Sequence, residues 1–490
     1  MEKYISIYKE QLDKNREVLT KEISKINSNT SIEIVKKAIK HLCFSGTGIY
    51  SSYKIEQYFL GKAKEISLKE EIKYDENSIL HVITNSHKTG GHTRVVERWI
   101  KSGKANETHS VYLINQENES DIPELLKEVI KEKNGSLIID KNKTDIQKAT
   151  ELRKEAMKYE KIVLHIHFDD YIPLIAFGSM EFKRPIIFYN HADHLGWLGI
   201  SIADIVADLR DCGHKITVEK RHAKKSMKLG IPILHQTQEN KIESEMDNSK
   251  IHILTFAREE KFKPIQDINI FKLIKKVTEK YENVIFTIIG IKAKNSYLLE
   301  ANIDNNKIII KEVMGHKELM EHISKCHIVL DSFPMAGGTA MLDAVYMEKP
   351  ILSGLSFVGQ LDYIMKSKYY MTSMDEMYNK LCMLIESEEK RKENIEEIKR
   401  LLHENDSIEC FNNNLQSIYK ALPKEHTINE FKDEFNGYIN EDIYRHISFV
   451  LPKSKKIIKS KILTVKKEKN IHEKWFIIKI FNKEFKIKRF

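Results

Sequence analysis

Four stretches of this sequence put chemically useful side chains where a strand hands over to a helix. The first is DSFPMAGGTAMLD, Asp331 to Asp343, where the apolar run CHIVLD leads into a proline and the pair Gly337 and Gly338. Glycine lets the backbone approach a ligand closely, and the first N–H groups of a helix lack intrahelical partners. A strand, a glycine turn and a helix start can therefore hold an anion. The spacing predicts a helix from about Thr339 to Glu348 with Met341, Leu342 and Val345 as its apolar stripe. Thr339 and Asp343 fall on a different face, one turn apart. A carboxylate there would repel phosphate but could accept hydrogen bonds from hydroxyls beside it. Diphosphate at the turn and ribose at Asp343 would satisfy both features.

The second stretch, TFAREEKFKP, follows a strand with Arg258, Lys261 and Lys263 before Pro264, which is expected to open a helix running to about Lys280. In a parallel sheet this loop shares an edge with the glycine turn, so its cations can meet the same phosphates. The third is HVITNSHKTGGHTRVVERW, with His87, Gly90, Gly91 and His92 at a strand-to-helix junction. The positive end of a helix favours neutral imidazole, so His92 suits a base or donor. The fourth is a pair of runs, HIHFDD and YNHADHLGW, carrying His165, His167, Asp169, Asp170, His191, Asp193 and His194. Such density invites a metal, but His165 and His167 share one face of a strand and no HExxH spacing occurs, so no metal site is expected. An acceptor-binding or catalytic patch fits better, with His191 and Asp193 as alternatives to His92. Plainer readings stand beside these: a tight turn, a solvated basic loop, structural histidines.

The elements that must position these residues show a clear rhythm. Residues 1–75 carry apolar positions at helical spacing, as in SIEIVKKAIKHLCF, and read as a helical extension. From residue 76 short β runs alternate with helices: ILHVIT, HSVYLI, SLIID, KIVLHIHF, PIIFYNH and IADIVA. The polar stretch QTQENKIESEMDNSK, Gln236 to Lys250, is the best linker. The rhythm then restarts with IHILTFA, NVIFTIIG, KIIIKEV, CHIVLD and KPILSG. This predicts an α/β chain of two Rossmann-like domains, 76–240 and 250–420, followed by a basic segment, 421–490. Ligands bind such pairs of domains at strand carboxyl ends.

Composition sets limits. The chain has 490 residues, 41% hydrophobic and 31% charged, enough for two or three real cores and against disorder. No run of about 18 apolar residues suggests a membrane-spanning helix, and the charged start does not read as a secretory signal. Five scattered cysteines without a CxxC pair suit reduced thiols in the cytoplasm and exclude a cysteine-based zinc site. The net charge of +9 is concentrated: Lys453 to Phe490 holds 14 Lys and Arg against 3 Glu. The rest of the chain is nearly neutral, which argues against nucleic acid. The basic, aromatic tail suits peripheral contact with an anionic membrane surface, or a solvated hairpin around Asn482.

These residues together resemble glycosyltransferases of the GT-B fold, of the O-linked N-acetylglucosamine transferase type and its bacterial relatives. That family carries F-N-Q-x-x-K-x-x-P after a strand; FAREEKFKP matches it in frame, with Arg258 at the Gln position, Lys261 at the phosphate-binding Lys and Pro264 at the Pro. The family's G-H-T-T-x-x-D corresponds to GGTAMLD, with Gly338 for His and Ala340 for the second Thr, keeping Thr339 and Asp343. Its G-N-H loop near the donor sugar corresponds to Gly90, Gly91 and His92. The resemblance spans about residues 78–405, and the family's tetratricopeptide array has no counterpart. It implies a metal-independent transferase taking a nucleotide-diphosphate sugar, first of all a UDP-sugar, as donor, and needing no further cofactor. The acceptor hydroxyl would belong to a glycan, a lipid-linked sugar or a protein, in surface polysaccharide or glycoconjugate assembly at the inner face of a membrane. A sugar-nucleotide epimerase of the same build and a metal-dependent hydrolase using the His/Asp cluster are the alternatives.

Overall fold

A computed structural model describes residues 2–67, 72–87, 91–233, 249–433 and 437–447, and the backbone of three short strands beyond them. Seven parallel strands form the first sheet: β1 (Asp75–Ile83), β2 (Thr108–Leu113), β3 (Leu137–Ile139), β4 (Tyr159–His165), β5 (Ile186–Asn190), β6 (Ile205–Asp208) and β7 (Ser226–Lys228). Their order is β3-β2-β1-β4-β5-β6-β7. The second sheet has β8 (Ile251–Phe256), β9 (Val284–Ile289), β10 (Ile308–Lys311), β11 (Ile328–Leu330), β12 (Ile351–Gly354) and β13 (Tyr370–Met371), in the order β10-β9-β8-β11-β12-β13. The central strands are buried on both faces because helices cover both sides, which is why their sequences are continuous Val/Ile/Leu runs rather than alternating ones. In each sheet the order reverses beside the first strand, and a crevice opens there at the strand carboxyl ends.

The N-terminal helices, expected as an extension, are part of both cores. In the helix Glu2–Ser24, Tyr4 and Leu12 pack into the second domain's core while Leu19 and Ile23 pack into the first's. The chain after the helix Ile408–Ala421 also returns to the first domain. His426 Nδ1 meets Asp204 at 2.8 Å, and Asp433 accepts from Ser52 Oγ at 2.9 Å and the Tyr53 N–H at 2.6 Å. A helix through residues 440–447 follows, where Asp442 accepts from the Gly48 N–H at 3.0 Å and Tyr50 Oη at 3.2 Å. Gly46 permits this approach: a Cβ there would lie 2.0 Å from the Asp442 carbonyl oxygen. The predicted linker centre, 234–248, lies outside the described residues. Beyond 447, β14 (Val465–Lys466), β15 (Trp475–Ile480) and β16 (Lys483–Lys488) form an antiparallel sheet; Asn482 lies outside the described residues. Among the described residues no helix is long and apolar enough to cross a membrane.

Candidate functional site

On the second domain's crevice, β11 runs into Asp331, a buried carboxylate that organises the loop after it. Asp331 accepts from the N–H of Ser332 at 2.8 Å, the N–H of Gly337 at 2.7 Å and Ser353 Oγ at 2.7 Å. Burial raises its pKa against the pull of these donors and of Lys261. A Cβ at Gly337 would fall 2.9 Å from Asp331 Oδ1, and Gly338 sits at φ +65°, in the left-handed region. Gly338→Ala should therefore destabilise the protein by about 1–2 kcal/mol, read as a lowered thermal midpoint.

Lys261 comes from a turn of 3-10 helix, Glu259–Phe262, anchored by buried Phe262 and by Asn295 Nδ2 donating to Glu259 Oε1 at 2.7 Å. Its Nζ donates to the carbonyls of Ala336 at 2.8 Å and Gly337 at 3.3 Å, so the predicted basic loop and glycine turn touch directly. Burial lowers its pKa while the Asp331 charge opposes that. Arg258, Lys261, Gly337, Tyr444 and Arg445 all line one cavity of about 610 Å³.

Two local expectations are corrected. The helix after Gly337 is a 3-10 turn, Gly338–Ala340, followed by a short α-helix, Met341–Tyr346, because Glu348 turns to φ +53° two residues before Pro350. Pro264 does not open a helix. The chain turns through Gln266, also at positive φ, and the helix Ile270–Lys280 starts where the Asn269 side chain caps the N–H groups of Phe271 and Lys272. Asp343 lies in the short helix and faces His316 Nε2 at 3.2 Å.

Across the cleft, the helix Gly91–Ser102 starts against this turn: a Cβ at Gly91 would lie 3.8 Å from Thr339 Oγ1. Gly90 lies outside the described residues. His92 and His191 come together with ring centroids 4.3 Å apart, and His92 Nε2 and His191 Nδ1 are buried with no hydrogen-bond partner among the described residues. Burial, and secondarily His191, lower the His92 pKa; burial lowers that of His191 to about 4. Burial thus favours the uncharged form of both rings, at the cost of basicity. An NMR titration of the His191 ring should show its midpoint near 4, against 6.5 for an exposed histidine.

Behind this pair lies a chain of buried imidazoles on adjacent strands. His165 Nε2 meets His81 Nδ1 at 3.0 Å, His81 Nε2 meets His109 Nδ1 at 2.9 Å, and His109 Nε2 reaches Glu107 Oε2 at 3.4 Å. His165 Nδ1 is buried without a partner.

Asp193 is placed differently from the histidines. Both its oxygens pair with Arg210, Nε to Oδ2 at 2.6 Å and Nη2 to Oδ1 at 2.6 Å, with His194 at 3.3 Å. Burial would raise its pKa, but the Arg210 charge and hydrogen bonds hold it well below the usual carboxylate range. Arg210 also donates through Nη1 to the Gln360 carbonyl at 2.5 Å, joining the two domains, and Lys228 Nζ reaches Asp362 at 2.5 Å beside it. Asp193 is therefore committed to an ion pair and is not a free base. Among the described residues no group of three or more His, Cys, Asp or Glu could hold a metal ion.

Sequence reasoning did not single out Asp331, Arg210 or Arg445. The CHIVLD run carried a signal for Asp331, a charge ending a buried strand next to glycines. Arg445 carried none, because only the return of the chain brings it to the cavity.

No protein-family model matches the chain, and no curated protein matches its sequence. Among solved structures it is similar to a mutant of the Thermobaculum terrenum O-GlcNAc transferase, 12% identical, over 79% of this chain and 76% of that one, with a TM-score of 0.54. It is similar to a lipopolysaccharide outer core galactosyltransferase, WaaB in its apo form, 13% identical, over 70% of this chain and 100% of that one, with a TM-score of 0.51. The two Rossmann-like domains and the cleft between them are the GT-B fold.

Proposed function

We propose that this GT-B chain is a glycosyltransferase that moves a sugar from a nucleotide-diphosphate sugar, a UDP-sugar in the first instance, to an acceptor hydroxyl. The observation that carries the reading is the cavity in which Arg258, Lys261 and Arg445 converge on the loop organised by Asp331, across the cleft from His92, whose Nε2 has no partner among the described residues. Three cations around a glycine turn, against the single carboxylate of Glu260 on the same wall, match a diphosphate. In the reaction the acceptor oxygen bonds to the anomeric carbon as the bond from that carbon to the diphosphate breaks. The nucleoside diphosphate departs and the hydroxyl proton passes to a base.

Lys261, Arg258 and Arg445 would stabilise charge on the leaving diphosphate, an electrostatic contribution made before the reaction begins. Asp343 and its partner His316 would lie beside the ribose, and Thr339 beside the phosphates. His92, with His191 against it, would take the acceptor proton. Asp193 would act at one remove, keeping Arg210 and the domain contact in place. No metal ion is asked of this chemistry, since the side-chain cations fill that part. The epimerase and hydrolase alternatives have no observation of their own in favour. Assembly of surface polysaccharide or glycoconjugate at an anionic membrane, through the Lys453–Phe490 tail, extends this reading from charge alone.

The test is thermal stability with UDP, GDP, CMP or no nucleotide, each with and without chelator. A nucleotide at about 100 times its dissociation constant should add about 2.7 kcal/mol. Stabilisation by UDP, unchanged by chelator, is the expected result. No response to any nucleotide would overturn the donor site.

A further inference from the structure

Three buried imidazoles and one carboxylate line up behind the cleft, and the pairing of the strands sets their course. His109 on β2 stands opposite Ile79 on β1, and the ring it meets is His81, two residues further on. His81 in turn stands opposite Val163 on β4, and His165 lies two residues beyond that. The row therefore climbs diagonally across one face of the sheet. It runs from Glu107, just before β2, to His165, the last residue of β4, at the cleft.

The surroundings keep the row dry and continuous. Trp99 packs edge-on against both His81 and His165, with ring centroids 5.7 and 5.2 Å away. Gly103 leaves the room that His109 needs, since a Cβ there would lie 2.3 Å from His109 Nε2. All three rings are 0% exposed, whereas Glu107, at 9%, reaches the surface at the rim. At the other end, His165 Nδ1 and His92 Nε2 are both buried and have no partner among the described residues. The centroids of these two rings stand 6.4 Å apart, a gap that one oxygen atom can span.

Burial pushes the pKa values of His92, His165 and His81 down, so a positive charge held on any of these rings is costly. A single base in the cleft would have to bear that cost. A row need not, because each ring can take a proton on one nitrogen while giving one from the other.

We propose that His165, His81, His109 and Glu107 draw the acceptor's proton away from the cleft during sugar transfer. The inference rests on the transferase reading and adds relay residues to it. The acceptor oxygen bonds to the anomeric carbon, and the diphosphate leaves with the electron pair of the broken bond. The O–H proton passes to His92 Nε2 and on to His165 Nδ1. His165 gives its Nε2 proton to His81 Nδ1, His81 gives its own to His109 Nδ1, and His109 gives its own to Glu107 Oε2. Every ring ends neutral, and Glu107 ends as the carboxylic acid. Burial would raise the Glu107 pKa, but hydrogen bonds from His109 and the Lys104 N–H lower it overall. Glu107 therefore returns the proton along the same row once the nucleoside diphosphate has left and solvent can take it up.

The experiment measures turnover of a UDP-sugar with water as the acceptor, in mixtures of light and heavy water, on the full chain and on Glu107→Gln and His81→Phe. Glutamine keeps the shape of the rim but takes no proton, and phenylalanine interrupts the row while filling its space. Each substitution should lower kcat about tenfold or more with KM unchanged. The rate of the unaltered chain should follow the fraction of heavy water along a curve, because several protons move together. In both variants it should follow a straight line. The UDP-induced thermal shift should be the same in all three. Glu107→Gln carries the test where His81→Phe does not fold. A row that serves packing alone would lower the thermal midpoint of the variants and spare kcat. Unchanged kcat in Glu107→Gln, or a straight line for the unaltered chain, would overturn the proposal. So would an unaltered chain that responds to UDP but turns over no UDP-sugar. An unaltered chain without any UDP response would instead overturn the donor reading beneath it.

Discussion

Arg210→Ala is expected to destabilise the protein by about 3–5 kcal/mol, lowering the thermal midpoint by roughly 3–5 °C for a chain of this length. The magnitude follows from what the substitution leaves behind. Asp193 is 1% exposed and its two oxygens have Arg210 as their paired cation, with only the weaker His194 contact besides. Removing the guanidinium strands a carboxylate where water does not reach, with Arg221 and Arg445 acting on it only through their more distant charges. The substitution also deletes the hydrogen bond from Arg210 to the Gln360 carbonyl, so part of the cost falls on the contact between domains. The double variant Arg210→Ala with Asp193→Asn separates these contributions. It should recover much of the loss, because no buried charge then remains unpaired. A double variant as unstable as the single would show that the interdomain hydrogen bond, and not the ion pair, carries the effect.

Lys261→Ala should weaken UDP binding by about 10- to 100-fold, measured by calorimetry. A hydrogen bond to a charged group is worth about 1.5–3 kcal/mol, and the cavity keeps two other cations. Without ligand, the Lys261 ammonium is occupied by the carbonyls of Ala336 and Gly337. Binding a phosphate would exchange neutral acceptors for a charged one, and that exchange is lost in the variant. Loop order is the competing cause, so thermal stability without ligand is the control, and it should fall by less than the binding energy does. His92→Ala is the contrast: nucleotide affinity retained, turnover reduced. Unchanged UDP affinity in Lys261→Ala would remove the donor site.

Much of this arrangement was legible in the sequence because parallel strands buried on both faces advertise themselves. KIVLHIHF, PIIFYNH, NVIFTIIG and CHIVLD are uninterrupted apolar runs, and β4, β5, β9 and β11 occupy them. The strand-to-helix loops after β1, β8 and β11 follow from that alternation, which is why Lys261 and the Gly337–Gly338 turn could be expected on one edge. The edge strands β7 and β13 were not legible: SMK and YM are short and half-exposed, without an apolar run. A helix start was misplaced where a cap outranked a proline, as at Asn269, and a helix end where a positive φ cut the helix short, as at Glu348. Arg445 belongs to a segment that read only as the start of a basic tail, yet a few buried residues, Asp442, Ile443 and Tyr444, dock it against the cleft. The histidines posed the opposite difficulty. His81 and His109 each look like an isolated core residue in its own strand, and His165 reads as one of the His/Asp cluster. Only the pairing of β2, β1 and β4 puts them in line.

That line has a direction. Glu107 as a carboxylate can only accept, so the contact requires the His109 proton on Nε2 and a lone pair on Nδ1. His81 must then offer Nε2–H and keep Nδ1 bare, and His165 must do the same. A second proton on the Nδ1 of His81 or His109 would set N–H against N–H. One acid at the rim of the sheet therefore dictates three tautomers and leaves the far end, His165 Nδ1, without a proton. The rings work as a row of aligned dipoles whose negative end lies among the cleft histidines. No single ring can turn alone, and the row keeps its orientation as long as Glu107 is a carboxylate.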